Sequence, residues 1–507
     1  MENNRYKNII FQVTGQAVAA VLSLYISSFV VENMGEAVFG FVGLANNFVS
    51  YASLAAVALN SIASRFIAVE IYRNNKKEAC EYYATTFLSN LIISIVVAIA
   101  GGIFIWNMDS VLQVPAGFLG DIQILWLMVF AGFVFDLLST AFKSSTFVTN
   151  KVYLNSLATV IGVVIRAMVI LGMFAVFSDK IWFVGLGTLT SMFFQLIIHF
   201  IFAQNLTPQL QIRARYFKIL RLGTLLKSGI WNTVSQLGKL LSEGLDLLIT
   251  NIFISDNSMG IMSISKTLST YIQLLNGTIA GTMVPKLTYH YSRNEIKQYH
   301  KQLFSDMQLL SFTACLMLSI LVIFSDSFYA LWVPSQDARQ LMILTVLGAF
   351  WMSVSGAMGS IFNAFTVQNK LRFNSIAMII SGIVSTLILI VTLNLSDLGI
   401  YAVAGISSVI YIIKNLLFVI PYAQKVIGIK AIDVYKHVLK SVLVTTVTVI
   451  IFRMILRLFD LSSWVRLIAA GGIVSVVIAT VFVFVYFPVY QIKSSILSMK
   501  KRLFRWH

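Results

Sequence analysis

The sequence predicts an all-α polytopic membrane protein: fourteen transmembrane helices, built as two parallel six-helix repeats that form two lobes, with two C-terminal helices appended. Three observations carry this expectation. The chain of 507 residues is 58% hydrophobic and only 11% charged, with a mean hydropathy of +0.85. Apolar runs of about twenty residues or more, the length that spans a bilayer, recur from end to end. The sequence also repeats itself at an offset of 219 to 220 residues.

The composition excludes most other classes. A soluble chain is about a quarter charged, so this one cannot cover itself with a water-compatible surface. Soluble enzymes, nucleic-acid-binding domains and secreted disulfide scaffolds are ruled out. With 6 Pro and 13% aromatics, disorder is ruled out too. Lipid offers no partner for open backbone groups, so the spans must be helices or a closed barrel. Barrel strands would alternate apolar and polar residues over about ten positions, and these runs do not. Cys80 lies in a charged loop and Cys315 in an apolar run, so no disulfide is expected. The opening MENNRYKN leads into the first apolar run with no small-residue cleavage site, which reads as a retained first span.

In order, the spans are expected at 9–31, 38–63, 84–106, 121–148, 152–177, 182–204, 228–254, 258–284, 308–332, 341–367, 373–395, 399–422, 438–458 and 466–488. Charge sets their direction. With the N-terminus inside, 28 of the 37 cations fall in the tails and even-numbered turns, including Arg65, Arg73, Arg213, Arg221, Lys286, Arg293, Lys370, Arg372, Lys425 and Lys500. The opposite side holds five (Lys180, Arg339, Arg453, Arg457, Arg466) beside ten acids. The positive-inside rule therefore puts both termini in the cytoplasm. The net charge of +17 is a topology signal, and no nucleic-acid partner is implied. Outward loops reach roughly a dozen residues at most, so chemistry must occur within the membrane body.

The repeat is clearest where NKVYLNSLA, Asn150 to Ala158, matches NKLRFNSIA, Asn369 to Ala377. Lys7 falls on Lys227, Gln16 on Gln236, Gly40 on Gly260 and Tyr51 on Tyr271. Ser178-Asp179 matches Ser396-Asp397, and FAQN matches YAQK. Spans 1–6 thus duplicate spans 7–12. Six is even, so both halves start on one face, the parallel-repeat plan of alternating-access transporters. The expected divisions are 1–212, 213–427 and 428–507, the last holding spans 13 and 14 and a basic tail.

Duplicated folds share packing residues, so charges found in one half only are informative. Span 7 carries Lys239, Glu243 and Asp246 where span 1 has Ala19, Ser23 and Ile26. Their i, i+4, i+7 spacing puts them on one helix face. Arg166 in span 5 corresponds to Ser385, and Lys266 in span 8 to Asn46; Asp136 lies deep in span 4 and His199 in span 6. A charge at the bilayer centre costs several kcal/mol unless it meets water or a partner. Arg166, Lys239 and Lys266 are the candidate substrate-binding cations, suited to phosphate. Glu243, Asp246 and Asp136 are candidates for coupling H+ or Na+, or for stapling helices by ion pairs. Asn46, Asn47, Gln12 and Gln16 carry amides suited to sugar hydroxyls, with helix–helix hydrogen bonding as the alternative. Trp231 and Tyr271 could stack on a sugar. His199 reads as a satisfied interior histidine, and Lys143, Lys414, Arg453 and Arg457 as span-end residues that snorkel. The sequence has no P-loop, HExxH, metal-ligand spacing or nucleophile elbow. No enzyme, cofactor, metal or direct ATP drive is expected.

With its fourteen spans, the span 7 text SGIWNTVSQLGKLLSEGLDLLITN and GIYAVAGISSVIY at span 12, the whole chain resembles the Wzx-type oligosaccharide flippases. These belong to the multidrug/oligosaccharidyl-lipid/polysaccharide (MOP) exporter superfamily. The resemblance implies a bacterial plasma (inner) membrane protein. It would move an undecaprenyl-diphosphate-linked oligosaccharide, a precursor of polysaccharide, capsule, O-antigen or teichoic acid, to the outer leaflet. It also implies a cationic cavity, to which Lys266 would contribute. Relatives that flip lipid II carry arginines on the first span, whereas this span 1 has none beyond Lys7. A cation-coupled multidrug antiporter of the same superfamily is the alternative, favoured by the acidic residues. A lipid II flippase, a membrane glycan polymerase and a structural scaffold fit less well.

Overall fold

A computed structural model describes residues 2–177 and 179–487, with no side chains described for 2–13 and Gln16. Gln12 and Gln16, as candidate sugar contacts, and the tail cations from Lys493 onward therefore lie outside the described residues. The described chain is helical throughout, without strands. Its α-helices are α1 (Glu2–Met34), α2 (Glu36–Tyr72), α3 (Lys76–Trp106), α4 (Leu119–Val148), α5 (Tyr153–Val176), α6 (Trp182–Leu206), α7 (Ile219–Lys239), α8 (Asp246–Phe253), α9 (Asp256–Gly281), α10 (Val284–Ser292), α11 (Ile296–Trp332), α12 (Ala338–Ala349), α13 (Met352–Val367), α14 (Leu371–Leu395), α15 (Ile400–Lys414), α16 (Ile420–Ile427), α17 (Ala431–Leu456) and α18 (Trp464–Tyr486). Fourteen rods result, because α7–α8, α9–α10, α12–α13 and α15–α16 each continue one another with a local break.

Twelve rods are long and apolar enough to cross a membrane; the two carrying α7–α8 and α9 fall short of that composition. Those two hold Lys239, Glu243, Asp246 and Lys266, the charges that set the halves apart. Several helices outrun the expected spans. Helix α11 starts at Ile296 rather than at 308, because its first turns, with Lys297 and Lys301, continue the helix beyond the apolar stretch. Pro285 starts α10 in the first-turn position where its missing N–H costs nothing.

The duplication is written into the backbone. Among the described non-glycine residues, only Asn74, Asn150, Asn294 and Asn369 have positive φ, at 58, 54, 55 and 54°. They form two pairs at the repeat offset, 74 with 294 and 150 with 369. Each ends a helix in the left-handed conformation, where asparagine is tolerated. Each is followed by the same closing bond: Asn75 N–H to Glu70 O (2.9 Å), Lys151 to Thr146 O (2.8 Å), Glu295 to His290 O (3.1 Å) and Lys370 to Phe365 O (2.8 Å).

The chain divides into two compact units, Met1–Ile264 with Arg372–Ser407, and Ser265–Leu371 with Ser408–His507. In the first, Trp126 is fully buried and packs on Phe48 (4.9 Å between ring centres) and Phe104 (5.7 Å), joining α2, α3 and α4. Cys80 is buried in α3 rather than in a loop, its thiol donating to Gln209 O at 3.3 Å. Close approaches rest on glycine. A Cβ on Gly229 of α7 would strike the Ala58 carbonyl of α2, and one on Gly238 would meet Met378 and Ile379 of α14. In the second unit, Leu303, Met307, Ile361, Phe365 and Ile420 form one core. A second core seats α18 on α11 through Cys315, Phe324, Ile478, Phe482 and Tyr486, with Val444 and Phe452 of α17 packed against it.

Candidate functional site: a polar centre at the broken helix of span 7

The site is built around a widening of the seventh rod. Between α7 and α8, Leu240–Gly244 forms a π-helical turn. Such turns free backbone carbonyls from the regular ladder and recur at functional positions. The Gly244 carbonyl is taken up by span 2: Asn47 Nδ2 donates to it at 3.1 Å, and the Tyr51 hydroxyl donates as well. Two residues on, Asp246 is 6% exposed. Ser407 Oγ donates to Asp246 Oδ1 at 3.4 Å, and Ser385 Oγ lies 3.3 Å from Ser407 Oγ. Thr386 Oγ1 donates to Leu241 O at 3.1 Å. A carboxylate, a spare carbonyl and four hydroxyls from rods 2, 7, 11 and 12 are thus gathered within the first unit.

The turn also changes the expected geometry of Lys239, Glu243 and Asp246. An unbroken α-helix would put all three on one face. With a π turn between them, Lys239 is exposed at the end of α7, Glu243 is half-buried and Asp246 is buried. Single-residue widening leaves no trace in hydrophobic periodicity, so the sequence could not reveal it.

The other candidates separate by unit. Arg166 is half-buried in α5 and belongs, with Lys239, to the first unit; Lys266 is half-buried in α9 and belongs to the second. Asp136 receives Lys143 Nζ at 2.6 Å, two turns along α4. Lys143 is thus an ion-pair partner rather than a snorkelling end residue. Asn46 Nδ2 donates to Val42 O of its own helix at 2.9 Å. His199 is interior, 1% exposed, in α6. Arg453 pairs with Asp326 of α11.

Sequence reasoning missed two groups. Tyr51 was legible only as half of a repeated Tyr51/Tyr271 pair. Lys414, expected to snorkel from a span end, is instead 7% exposed in mid-rod. Its ammonium sits 3.9 Å from the Tyr411 ring centre and 5.7 Å from that of Phe362, just before a second π turn, Asn415–Val419. The rod runs on to Ile427, thirteen residues or about 20 Å further. Among the described residues no cluster of His, Cys, Asp and Glu could hold a metal ion.

The chain has the fold of the MOP superfamily transporters. It superposes on the inward-facing conformation of a multidrug resistance MATE family transporter of that superfamily with a TM-score of 0.69 at 14% identity, covering 84% of this chain and 99% of that one. The lipid II flippase MurJ in an inward closed conformation gives 0.68 at 14% identity, covering 94% and 99%. These neighbours are transporters and a flippase, not enzymes. In sequence, the chain is 26% identical over 475 residues to the uncharacterized membrane protein EpsK of Bacillus subtilis (strain 168), with 92% of each covered. No protein-family model matches.

Proposed function

We propose that the protein moves an undecaprenyl-diphosphate-linked oligosaccharide from the inner to the outer leaflet of the bacterial plasma membrane, with both termini cytoplasmic. The repeat halves 1–212 and 213–427 rock to open alternately, and 428–507 supplies two supporting spans and a basic tail. The observation that carries this reading is the set of mid-rod cations, Arg166 in a helix otherwise fit for lipid and Lys239 and Lys266 in the two rods that are less apolar. Each offers a positive charge to a diphosphate as it passes, while the polyprenyl tail stays in lipid. The fold likeness to a lipid II flippase across 94% of the chain supports a lipid-linked substrate. An inside-negative potential favours outward movement of such an anion by about 2.3 kcal/mol per charge per 100 mV.

The polar centre gives direction a second source. Asp246, with Ser407 and the π-turn carbonyl beside it, is the position for a coupling H+ or Na+, with Glu243 next to it. The same carboxylate favours the second reading, a cation-coupled multidrug antiporter, which the multidrug transporter neighbours support.

Proteoliposomes bearing a fluorescent lipid-linked glycan test the first reading through leaflet accessibility. Arg166→Ala with Lys266→Ala should slow flipping at least tenfold, since each charged hydrogen bond is worth about 1.5–3 kcal/mol; an unchanged rate removes the diphosphate role of these cations. Protection of cells against cationic dyes, lost in Asp246→Asn, would favour the antiporter.

A further inference from the structure

Helix α2 crosses the membrane without showing lipid a large apolar side chain. Between Glu36 and Ala68 its exposed residues are Asn46, Ala55, Ser61 and Arg65. Helix α3, packed on it, exposes Leu91, Ile92, Ile95, Val96, Ile99 and Ile103, as a lipid-facing span should. Polar side chains at membrane depth face a partner or a water-filled cavity, so the exposed face of α2 is wet.

The polar groups on this side of α2 share one property. Asn46 Nδ2 donates to Val42 O at 2.9 Å, Ser50 Oγ to Asn46 O at 3.0 Å and Ser53 Oγ to Ser50 O at 2.7 Å. Each bond stays within the helix, so none of them serves helix–helix adhesion. Each leaves a side-chain oxygen with lone pairs to offer: the Asn46 amide oxygen and the Ser50 and Ser53 hydroxyls. Their i, i+4, i+7 spacing sets them in one row about 10 Å long. The duplication carries the row again. Asn46, Ser50 and Ser53 fall on Lys266, Thr270 and Gln273 of α9, in the second unit. Thr270 is exposed and likewise donates to its own helix, to Lys266 O at 2.9 Å. Lone pairs repel an anion and accept from O–H and N–H groups. Neither a phosphate nor an apolar cation can use such a row, whereas a sugar, dense in hydroxyl donors, can.

We propose that Asn46, Ser50 and Ser53 of α2, and separately Thr270 and Gln273 of α9, form hydrogen-bond-accepting rows that take the hydroxyl groups of the substrate's sugars. This deepens the preceding reading and rests on it: Arg166, Lys239 and Lys266 attract the diphosphate, and the rows recognise the glycan. Because a lone pair accepts from any hydroxyl, the rows select for hydroxyl density rather than for one sugar.

Flipping by the full-length protein in proteoliposomes tests this with three undecaprenyl diphosphate probes: one carrying a glucose disaccharide, one carrying the same disaccharide fully O-methylated, and one without sugar. Ser50→Ala with Ser53→Ala removes only hydroxyls that bond back to their own helix, so the helix is kept. It should slow the disaccharide probe about fivefold relative to the sugar-free one, as expected for two neutral hydrogen bonds. Thr270→Val should act in the same direction, more weakly. The methylated probe, which has no hydroxyl to donate, should be slow in the wild type and no slower in the double variant. An unchanged disaccharide rate in the double variant overturns the rows, as does a fall shared equally by all three probes. Arg166→Ala with Lys266→Ala should slow all three, since each carries the diphosphate. If the wild type moves none of them, the flippase reading falls. Equilibrium binding of the same probes in nanodiscs then decides the rows: weaker binding of the disaccharide probe by the double variant keeps them as a glycan site, and equal binding removes them.

Discussion

At the scale of single residues, the stop signals and the buried lysine make the sharpest predictions. Asn369 holds φ at 54° and closes α13. Alanine there pays the left-handed penalty, about 1–2 kcal/mol, whereas glycine is free to adopt it. Asn369→Ala should therefore lower the thermal midpoint in detergent and Asn369→Gly should not. Lys414 is held against two rings, and contact with Tyr411 and Phe362 contributes about 2 kcal/mol for a desolvated cation. Lys414→Met, similar in length and apolar, keeps the volume and removes the charge, so a lower midpoint in detergent is expected; an unchanged midpoint would mean that the charge contributes nothing to the second unit. The candidate cations Arg166, Lys239 and Lys266 were legible because a charge in an apolar run stands out in any sequence. Ser407 and Tyr51 were not, because hydroxyls are common in membrane helices and only their convergence on Asp246 and Gly244 distinguishes them.

At the scale of helices, existence and direction were written plainly and internal breaks were not. Twelve of the fourteen rods follow from apolar length, the seventh and eighth being interrupted by charge, and the strongest repeat text coincides with a shared backbone turn at Asn150 and Asn369. The breaks at Phe350–Trp351 and Asn415–Val419 were invisible because hydrophobicity is continuous through them, and the one at Leu240–Gly244 because a π turn has no residue signature of its own. Glycine spacing, by contrast, has a direct reading in contact distance. Gly229 lets α7 approach the Ala58 carbonyl, so Gly229→Leu forces the pair apart. A loss of about 1–3 kcal/mol, the usual range for overpacking, should appear as a lower midpoint and faster proteolysis at the α6–α7 linker. Wild-type resistance would mean that the crossing has slack.

At the scale of the molecule, the two spans appended after the repeat pack onto the second unit. Phe482 is fully buried against the α11 side of the second unit. In a water-soluble core Phe→Ala costs roughly 3–5 kcal/mol. Lipid already solvates apolar surface as well as a neighbouring helix does, so only the packing share of that sum is at stake here. Phe482→Ala should accordingly lower the midpoint modestly and leave insertion intact, as read by glycosylation mapping or cysteine labelling. Failure to insert would assign α18 a role in assembly.

The wide turn in the seventh rod gives the polar centre a dependence on chain length as well as on residue type. Deleting Ser242 would let the backbone close to ordinary pitch; a π turn holds one residue more than the α-helix it interrupts, so the helix beyond it would keep its direction. Asp246 would stay at Ser407, whereas the Gly244 carbonyl would be drawn back along the helix from Asn47 and Tyr51, although every charge in the protein had been kept.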